Sequence, residues 1–172
     1  LIKQGVLYLH QVFLDDHLAR LYDGAEKLAI DVGINPNELI EIIKKTLEIN
    51  NMKTGVHIRV IVSRGIKRTP YQHPNANIGG SSIVIIPEFK EADKKLNMNG
   101  IRLVTVKTRR GTPDIIDPQI NSLSKQNCIM ACIEADCAGV DEGIMLDIHG
   151  NVSTCNSTNF FIVRNGEVWT SK

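Results

Sequence analysis

Apolar residues recur at helical spacing early in the chain. Leu18, Leu21, Tyr22, Ala25, Leu28 and Ala29 fall on one face of a predicted helix. Asp15 and Asp16 stand at its start, where acids complement the helix dipole, and Gly33 is expected to stop it. Asn35-Pro36-Asn37-Glu38 reads as a second helix start. Asn35 is the N-cap, Pro36 the first helical residue, and Glu38 can reach back as in a capping box. Leu39, Ile42, Ile43, Thr46 and Leu47 form that helix's apolar face, and Asn50-Asn51 end it. The period then changes to two. Val56, Ile58, Val60 and Val62 face one way, and His57, Arg59, Ile61 and Ser63 the other, which predicts a half-buried strand.

Residues 70–80 are rich in Pro, Asn and Gly and read as a loop. A continuous apolar strand is expected over 82–86, closed by Pro87, and an alternating one over 101–107. Arg110-Gly111-Thr112-Pro113-Asp114 and Asp117-Pro118 break the pattern. A helix over 128–137 and short strands over 143–147, 159–163 and 167–170 follow. Asn165-Gly166 signals a hairpin turn in which both central residues need positive φ. Helices clustered with antiparallel strands, then a helix feeding a meander, give an α+β class with two lobes. The expected division is a small lobe over 1–110, an interdomain loop over 111–118 and a second lobe from 119 to 172.

Composition narrows the classes of function. The 172 residues are 42% apolar and 23% charged, with 20 basic against 19 acidic side chains. A net charge of +1 argues against a nucleic-acid or membrane-surface protein, since both usually need a basic patch. No apolar run approaches the length of a membrane span, and residues 1–10 lack the pattern of a leader peptide. A cytoplasmic location is therefore expected. Cys128, Cys132, Cys137 and Cys155 have no second Cys/His pair to complete a metal site, so they are expected to be reduced, small buried hydrophobes, and no metal is expected. His17 and His57 read as surface or structural residues.

Three strings are more specific: Phe13-Leu14-Asp15-Asp16-His17-Leu18-Ala19-Arg20-Leu21-Tyr22-Asp23; Gly139-Val140-Asp141-Glu142-Gly143-Ile144-Met145-Leu146-Asp147; and Gly150-Asn151-Val152-Ser153 continuing to Asn159-Phe160-Phe161-Ile162-Val163 and Asn165-Gly166. On these strings the chain resembles the class IV, or fold-type IV, pyridoxal-phosphate aminotransferases. That group includes branched-chain aminotransferases, D-amino acid aminotransferases and aminodeoxychorismate lyases. The resemblance runs in order over nearly the whole chain. It implies a small α/β-sandwich lobe and the first part of a pseudo-barrel lobe, truncated at both ends. It also implies pyridoxal 5′-phosphate as cofactor, an amino acid and a 2-oxo acid as small-molecule partners, and a homodimer.

Carried over by position, the resemblance makes Arg20 the phosphate-binding arginine, a role that suits a guanidinium fork. Arg59 falls on the strand where branched-chain enzymes place residues near the substrate carboxylate. Asn159 keeps the identity of a cofactor-loop residue. Two positions depart. The family's Schiff-base lysine position, counted back from Glu134, is Asn121, and an amide cannot form an imine. The glutamate position that pairs with the pyridine nitrogen is Thr154, whose neutral hydroxyl supplies no charge. Cys155 and Asn156 replace the small residues that follow. Lys125, four residues past Asn121, is a candidate for a migrated lysine. The expected function is that of a branched-chain-like aminotransferase, here a fragment or diverged copy without the family's lysine and glutamate. The alternatives are a non-catalytic interaction subunit and an aminodeoxychorismate-lyase-like enzyme.

Overall fold

A computed structural model describes residues 13–90 and 99–171, together with the backbone pairing of two short N-terminal strands. Those strands are β1 (Ile2–Lys3) and β2 (Val6–Leu7), which run antiparallel. The reading of residues 1–10 as no leader lies otherwise outside the described residues. The chain divides into two compact units, Leu1–Ala92 and Asp93–Lys172.

In the first unit, helix α1 spans Leu14–Lys27 with Asp15 and Asp16 in its first turn. It ends before Gly33. Leu28 caps it, and Ala29 turns left-handed at φ 51°. Helix α2 (Pro36–Ile49) has the expected start: Asn35 Oδ1 accepts from Glu38 N–H at 3.0 Å, and Glu38 Oε2 accepts from Asn35 N–H at 2.8 Å. Strand β3 (Val56–Ser63) pairs antiparallel with β4 (Ser82–Phe89). The latter runs past Pro87, which sits opposite Ile58. Among the described residues β4 has a neighbour on one side only, and an edge strand tolerates a missing N–H.

The core of this unit joins Leu18 of α1 to Leu39, Ile43 and Leu47 of α2, with Val56, Ile58, Val60, Ile83 and Ile85 of the sheet packed against them. Burying a side chain of this size contributes about 1.5–3 kcal/mol. The strand alternation therefore decides which face receives the helices, and the other face carries His57, Arg59, Val84 and Ile86.

In the second unit, β5 (Leu103–Thr105) pairs parallel with β6 (Glu142–Leu146), which pairs antiparallel with β7 (Val152–Cys155). A parallel neighbour requires a crossover, and helix α3 (Gln126–Cys137) lies on it. This ladder explains why the units divide earlier in the chain than the 111–118 loop that the sequence suggested: β5 finds its partner in β6. Strand β7 is not expected from the sequence. The strand expected over 143–147 starts one residue early, at Glu142, and the one expected over 159–163 begins only at Phe161. Val106, Ala131 and Met145 form the core, with Val104 and Cys128 against it. Strands β8 (Phe161–Arg164) and β9 (Glu167–Thr170) form a hairpin through Asn165 and Gly166, at φ 53° and 80°. Both central positive φ values are those the Asn-Gly pair predicts.

Candidate functional site

The residues singled out by the sequence divide between the two units. In the first, Arg20 lies exposed on α1, with a guanidinium nitrogen 3.4 Å from Nδ1 of His17, one helical turn back. Arg59 projects from the exposed face of β3, opposite Ile86. On the same face His57 Nδ1 lies 3.0 Å from Glu88 Oε1 across the strand pair. Both histidines are thus surface residues with local partners. Among the described residues no group of three or more His, Cys, Asp or Glu side chains could hold a metal ion. No described helix is long and apolar enough to cross a membrane.

In the second unit, the segment after β5 is anchored along β6: Val106 N–H donates to Ile144 O at 3.0 Å and Arg110 N–H to Leu146 O at 2.8 Å. Glu134 of α3 reaches across to receive Lys107 N–H at 2.6 Å, Thr108 N–H at 3.0 Å and the Thr108 hydroxyl. The Thr108 hydroxyl foremost, with the Lys107 and Thr108 amides and the Lys107 charge, holds the Glu134 carboxyl below its usual range. From this anchor the chain passes Asp117-Pro118 to Asn121, which is exposed, and on to Lys125, which is half-buried at the N-cap of α3. Lys125, Ser122, Ser124, Arg110 and Cys128 line one open concavity, to which Asn121 does not contribute.

The four cysteines do not share one environment. Cys155 is buried, Cys128 half-buried, and Cys132 and Cys137 exposed; all are free thiols. The expectation of four buried cysteines is corrected by α3 itself, whose inward face is drawn by Ala131 and Ala135. Cys128 lies on that stripe, three residues before Ala131. Burial pushes the Cys155 thiol up, and the charge of Glu142 adds to it.

Around β7, the turn that carries Thr154 and Asn159 is held by groups that periodicity did not reveal. Thr154 Oγ1 donates to Thr158 O at 2.9 Å, and Cys155 N–H donates to the same carbonyl at 3.1 Å. Asn156 Oδ1 accepts Gly143 N–H at 2.6 Å while Asn156 N–H donates to Gly143 O at 3.0 Å, so its amide extends the ladder beside β6. Glu142 is 5% exposed. Its Oε1 accepts Ser157 N–H at 3.0 Å and the Ser157 hydroxyl, and its Oε2 accepts Thr158 Oγ1 at 2.6 Å. The one available signal was a glutamate at the head of an apolar strand, followed by two hydroxyl residues that could satisfy it. Asn159 is exposed at the end of this turn.

A carbonyl cofactor held as an imine needs an amine, and a protonated pyridine ring needs an acid beside it. Asn121 offers an amide, and the Thr154 hydroxyl is already committed to a backbone carbonyl. The residues at these two positions do not fit a pyridoxal phosphate site of the usual kind. Arg20 is exposed and, among the described residues, its side chain bonds a histidine alone, so its fork can meet a phosphate.

The sequence profile of the amino-transferase class IV family matches residues 3–172. The branched-chain-amino-acid aminotransferase-like protein 2 of Arabidopsis thaliana is 39% identical over 165 residues, covering 95% of this chain and 29% of that protein. Among solved structures, a T.th. branched-chain amino acid aminotransferase with pyridoxamine 5′-phosphate superposes with a TM-score of 0.83 at 26% identity, covering 91% of this chain and 52% of that one. The branched-chain aminotransferase of Thermoproteus uzoniensis with norvaline gives a TM-score of 0.76 at 29% identity, again over 91% and 52%. The chain thus spans about half the length of these solved relatives, and less of the plant protein.

Proposed function

The chain belongs to the class IV amino-transferase family, and from that premise we propose that it is a diverged branched-chain-aminotransferase-type protein that does not transaminate through the family's lysine and glutamate positions. Its frame is the fold-type IV frame of its solved relatives. Its small-molecule partners are an amino acid, the class that the relatives' names print, and, by the family resemblance, the matching 2-oxo acid. The observation that carries the reading is the turn at β7. Thr154 Oγ1 spends its one proton on Thr158 O, where the resemblance calls for a free carboxylate. Asn121, without an amine, supports it.

Arg20 is the residue best suited to a cofactor phosphate, because its fork can engage two oxygens at once. Arg59, exposed on β3, is suited to a substrate carboxylate by the same chemistry. Both roles are part of the proposal.

The test is direct. Purified protein mixed with pyridoxal phosphate, dialysed and scanned in the visible range is expected to keep no Schiff-base band, to show no bleaching with borohydride, and to turn over no branched-chain amino acid. A retained, borohydride-sensitive band would overturn the reading. Lys125→Ala then decides whether the half-buried amine at the start of α3 is its source, an alternative favoured by that lysine's place in a concavity.

A further inference from the structure

The concavity ahead of α3 is shallow and open to solvent, with a volume of about 20 Å³. Two cations, Arg110 and Lys125, stand in its wall, with the hydroxyls of Ser122 and Ser124. Both cationic residues are half-buried. Arg110 Nη1 donates to Cys128 Sγ at 3.2 Å, and a thiol is a weak acceptor. Neither cation has an ion pair among the described residues. The single carboxylate in the wall, Asp117, accepts Gln119 N–H on its Oδ1 at 2.9 Å. Among the described residues the half-buried Arg110 guanidinium is bonded to sulfur alone and is undersatisfied, because partly desolvated charge is stable when it meets opposite charge. The same wall contains the start of α3, whose dipole adds positive potential.

We propose that this concavity binds a phosphate group, carried by a small molecule or free, with Arg110 and Lys125 as its charge partners and Ser122 and Ser124 as hydroxyl donors. A guanidinium fork, a point-charge ammonium and two hydroxyls match the several oxygens of a tetrahedral oxyanion better than the two of a carboxylate. The proposal shares Lys125 with the alternative Schiff-base source named above, but it uses that lysine as a charge partner of a phosphate and not as an imine-forming amine.

Cys128 supplies the probe, because it touches Arg110, while Cys132 and Cys137 on the same helix serve as controls. The full chain is treated with iodoacetamide, and each cysteine is followed by peptide mass spectrometry. Inorganic phosphate is compared with chloride at equal ionic strength. At phosphate about four times its dissociation constant, alkylation of Cys128 is expected to slow about fivefold, with Cys132 and Cys137 unchanged. Arg110→Gln and Lys125→Gln, both checked for helix content, are each expected to weaken this protection. In parallel, the Nε resonance of Arg110 is expected to shift saturably with phosphate, a readout that does not depend on thiol reactivity.

Uniform slowing of all three thiols, or no saturable shift of Arg110, would overturn the proposal. So would protection that survives both substitutions. Equal protection by acetate would overturn the assignment to phosphate. None of these readouts involves a Schiff base, so failure here and failure of the reading above are separate results.

Discussion

Thr158 Oγ1 donates to Oε2 of Glu142 at 2.6 Å, while Ser157 holds the other carboxylate oxygen through its N–H and its hydroxyl. One buried acid at the head of β6 thus fixes the turn that follows β7. Replacing it by an amide of the same shape presents an NH2 group to a donor. Glu142→Gln is expected to lower stability by about 1–3 kcal/mol, the cost of a buried polar group left unmatched. Urea unfolding at neutral pH measures this; an unchanged midpoint would show that the turn holds without the charge.

The same carboxylate predicts a pH dependence. Burial pushes the Glu142 carboxyl up, but the hydrogen bonds from Ser157 and Thr158 outweigh burial and leave it below its ordinary range. A folded value below the unfolded one, about 4.3 for Glu, means that stability is present above the unfolded value. It is lost as pH falls through the folded one. The difference between wild type and Glu142→Gln is therefore expected to shrink as pH drops from neutral to below about 4. A difference constant across that range would refute the assignment.

Gly143 is closely surrounded. A Cβ built there would stand 2.7 Å from Val106 Cγ1 and 3.1 Å from Ala131 O. Gly143→Ala must displace β6 from α3, at about 1–3 kcal/mol for an overpacked core. Thermal unfolding would register the loss, and an unaltered melting temperature would mean that the helix moves freely.

Leu47 is 1% exposed in the core between α2 and the β3–β4 sheet. Leu47→Ala is expected to cost about 2–5 kcal/mol. Ile49, on the same helix but 71% exposed, is the control, and Ile49→Ala is expected to stay within about 0.5 kcal/mol.

For the proposed loss of the imine lysine, restoring the amine is the informative change. Asn121→Lys in the full chain with pyridoxal phosphate is expected to show a borohydride-sensitive visible band that the parent lacks. If the variant remains colourless, position 121 is not where an amine meets the cofactor.

Much of the fold was legible because local chemistry repeats a signal at several positions. The Asn35–Glu38 box, the alternation of β3 and the Asn165-Gly166 turn each combine periodicity with a residue that supplies its own hydrogen bond or φ value. The end of α1 was not legible. Gly33 offered the more obvious stop, while the helix ends at Lys27 and the chain then first turns left-handed at Ala29, four residues before Gly33. Strand β7 was missed because Val152–Cys155 is short and polar, and its pairing with β6 supplies the reason for it to be extended. At the site, sequence placed Asn121, Thr154 and Lys125 by resemblance. The wall shared by Lys125 and Arg110 joins residues 15 positions apart, which no periodic pattern connects.

The carbonyl of Thr158 accepts from both the Thr154 hydroxyl and the Cys155 amide. A threonine at that position thus helps to close the turn that Glu142 anchors. In evolutionary terms, discarding an acid there carries little structural penalty. Selection on folding alone would not remove the change, and a lineage that has lost the chemistry can keep the scaffold for a long time. The route back is less symmetrical: a glutamate reintroduced at 154 takes one of the two donors from that carbonyl and brings a charge beside the buried Glu142 turn. On the proposed reading, architecture and reactivity are uncoupled at a single residue, and recognisable ancestry can outlast the activity that first shaped it.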